Sequence, residues 1–215
     1  MSDPLSPSPE ICQHIAQYLS DQGYCILESA MPKSITDMLY QRITTMRKED
    51  FFQAGIGRKN NFQVDQQYRT DHIHWLHQDQ ASEAAYLAWM ESLRLGLNQA
   101  LFMGLFDYEA HFSHYAKSDF YKRHLDAFKG NTNRILTTLF YLNPQWDKQD
   151  GGELLMYEND KSQIPLHTIM PNMGTLVIFL SDQFPHEVLA AQQDRYSIAG
   201  WFRVKATGGV LDPAY

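Results

Sequence analysis

Cysteine is scarce in this chain: Cys12 and Cys25 are the two present, in unrelated settings. A disulfide framework is excluded as the organising device, and both read as reduced packing thiols of a cytoplasmic protein. No apolar run approaches the ~20 residues of a membrane span. The opening MSDPLSPSPE lacks both the basic leader and the apolar core of a secretory signal. Positive charge is in deficit as well, with 18 Lys and Arg against 25 Asp and Glu for a net charge of -7. That balance offers no electrostatic footprint for nucleic acid or an anionic membrane. There is also no internal repeat and no low-complexity block, so a repeat array is set aside.

What is present suits one globular unit. The 215 residues are 44% apolar and 13% aromatic, enough to bury a full core. Ser8 reads as an N-cap with Pro9 at the first helical position, and EICQHIAQYLSDQ carries helical apolar spacing that ends near Gly23. GYCILES reads as a strand. Pro32 opens a second helix with Ile35, Leu39, Ile43 and Met46 along one side, and residues 81–103 make a third whose Trp89, Met90 and Leu93 face a core. From about residue 108 the chain changes character. AHFSHYA, DFYKRHLD, RILTTLFYLN, ELLMYE, LHTIMP, GTLVIFLS, PHEVLAA and RYSIAGWFRV read as eight strands, separated by turn chemistry such as NPQWDKQDGG and PNMG. Helices first and strands second predict an α+β protein in which an antiparallel sandwich or jelly roll is braced by N-terminal helices.

Within FYKRHLDAF, His124 and Asp126 stand two residues apart, so on a strand both side chains point the same way. A hydrogen-bonded pair at a strand end is one explanation. Downstream, His186 is followed nine residues later by Arg195, and the intervening AAQQD reads as a hairpin connection that puts the two on neighbouring strands. Arg195, Ser197, Ala199 and Trp201 then share one face. An arginine on an inward face requires an anion, either a ligand carboxylate or an Asp or Glu of the same chain. Two imidazoles and a carboxylate can hold one face of an octahedral ferrous ion and leave three positions open, two for a 2-oxo acid and one for dioxygen. Arg195 would grip the far carboxylate with its planar fork, and Ser197 would add a hydroxyl. Among nine histidines chance pairs arise easily, and His72 and His74 read as a polar loop or edge.

The segments FYKRHLDAF, FYLNPQWDKQDGGELLMY, PNMGTLVIFLSDQFPHEV and DRYSIAGWF resemble the iron- and 2-oxoglutarate-dependent dioxygenases with a double-stranded β-helix. They are most similar to the prolyl 4-hydroxylase branch that includes the hypoxia-type enzymes. Upstream, RTDHIHW resembles a substrate-side segment of that branch. The resemblance implies residues 1–106 as helical support with the first strands and a flap, 107–204 as the oxygenase core, and 205–215 as a short tail. It implies iron on His124, Asp126 and His186, and 2-oxoglutarate on Arg195 with Tyr141, Ser197 and Tyr115. Arg134, Asp71, Arg69, Trp75 and Tyr121 would lie on the substrate side, with Asp71 and Arg134 paired to fix a flap over Gly55 to Gln80. The cofactors implied are Fe(II), 2-oxoglutarate and O2, with ascorbate as an optional reductant, and the partner is a protein carrying a target proline, a translation factor being one such target. The chain departs from the family where AKSD follows Tyr115, in place of a frequent Pro-Gly turn, and in having no long element after residue 204. A hydroxylase of a free amino acid or small metabolite, a nucleic-acid dealkylase using Arg195 and Arg203, and a non-catalytic β-sandwich module are the competing readings.

Overall fold

The computed structural model describes residues 5–55, 65–127 and 133–205. The first helix, α1 (Pro9–Gln22), begins where Ser8 accepts a hydrogen bond from the Ile11 amide, and it stops at Gly23, which takes the left-handed conformation (φ 82°) that a side chain would disfavour. Strand β1 (Tyr24–Leu27) follows, then α2 (Lys33–Thr45), which buries Ile35, Leu39 and Ile43 as the spacing predicts. Short strands β2 (Phe52–Gln53) and β3 (His72–Trp75) precede α3 (Ala81–Leu101), which ends two residues earlier than its apolar pattern because Phe102 turns left-handed. The remainder is β4 (Leu105–Tyr115), β5 (Tyr121–His124), β6 (Arg134–Tyr141), β7 (Leu154–Met156), β8 (His167–Ile169), β9 (Leu176–Leu180), β10 (His186–Val188) and β11 (Arg195–Val204). All eight expected strands form.

They assemble into two antiparallel sheets, the layers of a double-stranded β-helix. The major sheet runs β1-β9-β6-β11-β4-β3-β2 and the minor sheet β5-β10-β7-β8. Because side chains alternate along each strand, the major sheet has two different faces. One, carrying Ala110, Phe112, Leu136, Phe140, Leu176, Ile178, Ile198 and Phe202, packs with Leu39, Trp89, Met90 and Leu93 of the helices in the larger core. The other looks toward the minor sheet, where Tyr115, Tyr141, Val177 and Phe179 join Leu154, Met156 and Val188. The helices thus brace one layer and leave the space between layers for the site. The first three strands belong to the same major sheet, so the expected N-terminal support is built into the core.

Two expectations fail here. The stretch AAQQD is no hairpin: β10 pairs with β5 and β7, whereas β11 pairs with β4 and β6, so the chain crosses from one sheet to the other between His186 and Arg195. Ala191 pins that crossover, its amide bonded to Asp119 and its carbonyl accepting from Ser118. Second, His72 and His74 lie neither in a loop nor on an outer edge, because β3 is hydrogen-bonded on both sides, to β2 and to β4. The described part of the expected flap, residues 65–80, therefore contains sheet. Residues 56–64 of the flap and 206–215 of the tail fall outside the described residues. Cys12 and Cys25 are both free thiols, and burial pushes Cys25 up to about 11.

Candidate active site

His124 closes β5 and His186 opens β10, and these two residues are cross-strand partners in the minor sheet. Asp126 lies just past the end of β5, so a bend carries it back toward His124 where regular strand alternation was expected to do so. His124 Nε2 is 3.5 Å from Asp126 Oδ1, and His186 Nε2 is 3.7 Å from Asp126 Oδ2. One ligand atom from each of the three residues falls within a 4.8 Å cluster. The tautomers follow from the hydrogen bonds. Nδ1 of His124 donates to the Lys122 carbonyl (2.8 Å) and Nδ1 of His186 to the Phe184 carbonyl (3.0 Å). Each ring then turns its Nε2 toward the shared space, the atom a metal ligand would use.

The electrostatics agree. Burial works against the Asp126 charge, but His186, His124 and Arg134 outweigh it and hold the carboxyl well below the usual carboxylate range. Burial, reinforced by His124, pushes His186 down to about 4 against the pull of Asp126. Near neutral pH the trio is therefore one carboxylate and a neutral imidazole of His186, the protonation state in which these side chains ligate a divalent ion.

At the other end of the concave face stands Arg195, fully buried and in register with Tyr115. Its Nε donates to the Gly152 carbonyl (2.8 Å), one terminal nitrogen lies 3.3 Å from Ser197 Oγ, and the guanidinium sits 4.9 Å and 5.1 Å from the rings of Tyr115 and Tyr141. The tandem glycines make this possible. A Cβ at Gly151 would meet the Ala190 carbonyl oxygen at 2.5 Å, and one at Gly152 would crowd Arg195, Ala191 and Trp146. Among the described residues no Asp or Glu forms an ion pair with Arg195, so the internal-carboxylate explanation has no support there. Among the described residues the buried Tyr141 hydroxyl accepts or donates no well-formed hydrogen bond, and Arg195 is the charge beside it. A buried cation and an orphaned hydroxyl beside it are suited to a carboxylate supplied by a ligand. These residues fit 2-oxoglutarate as the triad fits iron.

The substrate-side residues are gathered by the fold, but not in the pairing expected. Asp71 is fully buried and bound in bidentate fashion by Arg69 (2.8 and 2.7 Å), whose guanidinium lies 4.2 Å over Tyr121; Tyr121 in turn stacks on His124 at 3.6 Å. Arg134 instead bonds Glu109 (2.8 and 3.0 Å) and lies 3.6 Å over Trp201. The expected Asp71–Arg134 pair is replaced by two separate ones because each residue has a nearer partner: Arg69 two residues before Asp71, and Glu109 of β4, which lies across β11 from Arg134. Arg203, the second arginine of the dealkylase reading, is held by Asp107 and Glu109. Trp75 packs edge-on against buried His111, and His111 against Trp201. His111, Glu109 and the role of Trp201 escaped the sequence reading; alternation along AHFSHYA, which puts His111 and Tyr115 on one face, was the available signal.

The comparisons bear on this geometry directly. The model for the 2OG-Fe(II) oxygenase superfamily matches residues 110–203. A crystal structure of a Pseudomonas putida prolyl-4-hydroxylase superposes with a TM-score of 0.81 at 34% identity, over 91% of this chain and 100% of that one. The chain belongs to the 2OG-Fe(II) oxygenase superfamily. Within the superfamily it falls in the prolyl hydroxylase branch. A Trichoplax adhaerens prolyl hydroxylase, solved with a hypoxia inducible factor oxygen degradation domain peptide fragment, gives 0.80 at 27% identity, over 91% of this chain and 90% of that one. The hypoxia-inducible factor prolyl hydroxylase of Caenorhabditis elegans is 26% identical over 211 residues, 91% of this chain and 28% of that protein. Human Egl nine homolog 1 is 39% identical over 84 residues, 38% of this chain and 19% of that protein. The chain thus spans about a quarter of the length of these curated relatives. The superfamily works with Fe(II), 2-oxoglutarate and O2, the set the site was read to hold.

Proposed function

We propose that this chain is a peptidyl-prolyl hydroxylase that couples the decarboxylation of 2-oxoglutarate to the hydroxylation of a proline in another protein. One atom of dioxygen enters succinate, with release of carbon dioxide, and the other enters the prolyl C–H bond. The observation that carries the reading is a pre-set His-His-Asp cluster at one sheet, with a buried arginine on the other that has no carboxylate partner among the described residues. Prolyl specificity rests on likeness to relatives, one of them solved with a hypoxia inducible factor peptide fragment.

The iron, when bound, supplies the redox chemistry with dioxygen. The chain's own residues do the rest. His124, Asp126 and His186 would hold the ion by three positions and leave three free. Arg195 would bind the distal carboxylate of 2-oxoglutarate through its planar fork, with Tyr141 and Ser197 adding hydroxyls and Tyr115 walling the space. Trp75, Trp201, Tyr121 and Arg134 would form the target's rim, and the buried indole N–H groups of Trp75 and Trp201, which have no partner among the described residues, are donors available to it. Ascorbate would act as an external reductant of the iron. A cytoplasmic setting and a translation-factor target are part of the proposal; among the described residues no helix is long and apolar enough to cross a membrane.

The test is succinate release with ferrous iron and 2-oxoglutarate, followed by mass spectrometry of proline-containing peptides and of free proline. The expected result is one added oxygen on a prolyl residue of a peptide and none on the free amino acid. Oxidation of free proline alone would replace this reading with a small-metabolite hydroxylase, and no succinate at all would leave a binding module.

A further inference from the structure

Behind the metal cluster lies a hydroxyl pair that the reading above does not use. Thr137, on β6 of the major sheet, reaches across to Asp126, its Oγ1 lying 2.8 Å from Oδ2. The same Oγ1 is 2.9 Å from Oγ of Ser181, just past the end of β9. Thr137 and Ser181 are both fully buried. A hydroxyl has one proton, and an ionised carboxylate only accepts. Asp126 is held ionised, so the Thr137 hydroxyl donates to Oδ2, and Ser181 Oγ stands beside it as its second neighbour.

Resting on the metal centre proposed above, we infer that the Thr137 hydroxyl, with Ser181 packed against it, positions the Asp126 carboxylate so that it offers the metal a single oxygen. Thr137 occupies Oδ2 and leaves Oδ1, the oxygen 3.5 Å from His124 Nε2, free to ligate. The consequence is chemical. A carboxylate gripping through both oxygens would take one of the three positions that the cosubstrates need. Thr137 and Ser181 are therefore positioning residues, acting through Asp126, and the minor sheet's metal is oriented from the major sheet.

The test uses the full chain with Mn(II) as probe, its free signal read by electron paramagnetic resonance, in wild type, Thr137→Val, Thr137→Ser, Ser181→Ala and the double variant Thr137→Val/Ser181→Ala. Second-layer losses run about 10–100-fold in metal affinity, so Thr137→Val should weaken Mn(II) binding at least about tenfold. Thr137→Ser should recover most of it. Ser181→Ala should cost less than Thr137→Val, and the double variant no more than Thr137→Val alone, because Ser181 acts on the carboxylate through Thr137. Co(II)-loaded Thr137→Val should also change the intensity of its visible ligand-field bands, which report coordination number, while Thr137→Ser should not. Wild-type Mn(II) affinity in Thr137→Val, or additive losses in the double variant, would overturn the positioning role. Should Thr137→Val fail to fold, Ser181→Ala decides alone, and unchanged Mn(II) affinity there overturns it. A wild-type chain that binds no Mn(II) would overturn the metal centre and the positioning role together; none of these readouts depends on proline being the target.

Discussion

His111 and Phe112 are neighbours in the chain and face opposite sides of the same sheet. Phe112 enters the helix-side core among Ile198, Phe140 and Trp89. His111 enters the inter-sheet space, where the residues in line with it on β4 are Glu109, Ser113 and Tyr115, and those on β11 are Arg195, Ser197, Trp201 and Arg203, all buried. One face is a store of apolar burial and the other a buried polar surface, produced by the same strands through alternation alone. The difference teaches how a small protein affords a site so costly in desolvation: the stability comes from the reverse side of the strands that carry it.

The largest expected effect lies on the apolar side. Phe112→Ala should lower unfolding free energy by about 3–5 kcal/mol, measured by denaturant titration, because a fully buried ring leaves a cavity. A loss confined to activity would break the contrast between faces. Next comes His111, whose burial, with the cations Arg69 and Arg134 nearby, pushes its pKa from 6.5 down to about 4. Between those values the unfolded chain binds the proton and the folded chain does not, so stability falls as pH drops from 6.5 toward 4, by at most about 3 kcal/mol from this one group. His111→Phe should flatten the difference in metal-free stability between pH 7 and pH 4.5; an equal slope in the variant would mean that His111 is protonated in the fold.

Arg195→Lys sharpens the polar side. Replacing a fork by a point charge should weaken 2-oxoglutarate binding by about 1.5–3 kcal/mol, visible as a raised KM, with folding retained. General unfolding without a selective cosubstrate defect would place Arg195 among structural residues. The smallest effect returns to the apolar face. Ile178→Val should cost about 0.5–1.5 kcal/mol of stability and leave the KM for 2-oxoglutarate unchanged. A shifted KM there would show that packing behind the sheet sets the geometry in front of it.

Much of this was legible in residues 8–46 and 108–204. Caps and apolar periods are local, so Ser8, Pro9, Gly23 and the strand runs declare their elements without knowledge of the fold. The grouping of His124, Asp126, His186 and Arg195 was legible because two imidazoles, a carboxylate and an inward arginine are an unusual ordered set, although Asp126 lies just past the end of its strand. What failed was long-range. A five-residue connector looks the same whether it turns within a sheet or crosses between two, and only the pairing of β10 with β5 and β7 distinguishes them. The partners of Asp71 and Arg134 failed for the same reason: ion pairs are chosen by distance, and Glu109 comes within reach of Arg134 only when β4 and β6 flank β11. Thr137 and Ser181 carry no sequence signal at all, since buried hydroxyls in strands are common.

The crossover between His186 and Arg195 makes the site unusually forgiving of changes in connector length. In a hairpin, one inserted residue would slip the register and turn every following side chain to the opposite face. Here the two residues are held by separate ladders, His186 against His124 and Met156, Arg195 against Tyr115. The span from the His124–Asp126–His186 cluster to Arg195 is thus a property of layer spacing, and the connector past Ala191 only has to reach. An extra glycine after exposed Gln193 would lengthen the bridge without moving either bank, which makes this the natural place to graft a tag, a reporter or a second binding loop beside the catalytic chamber.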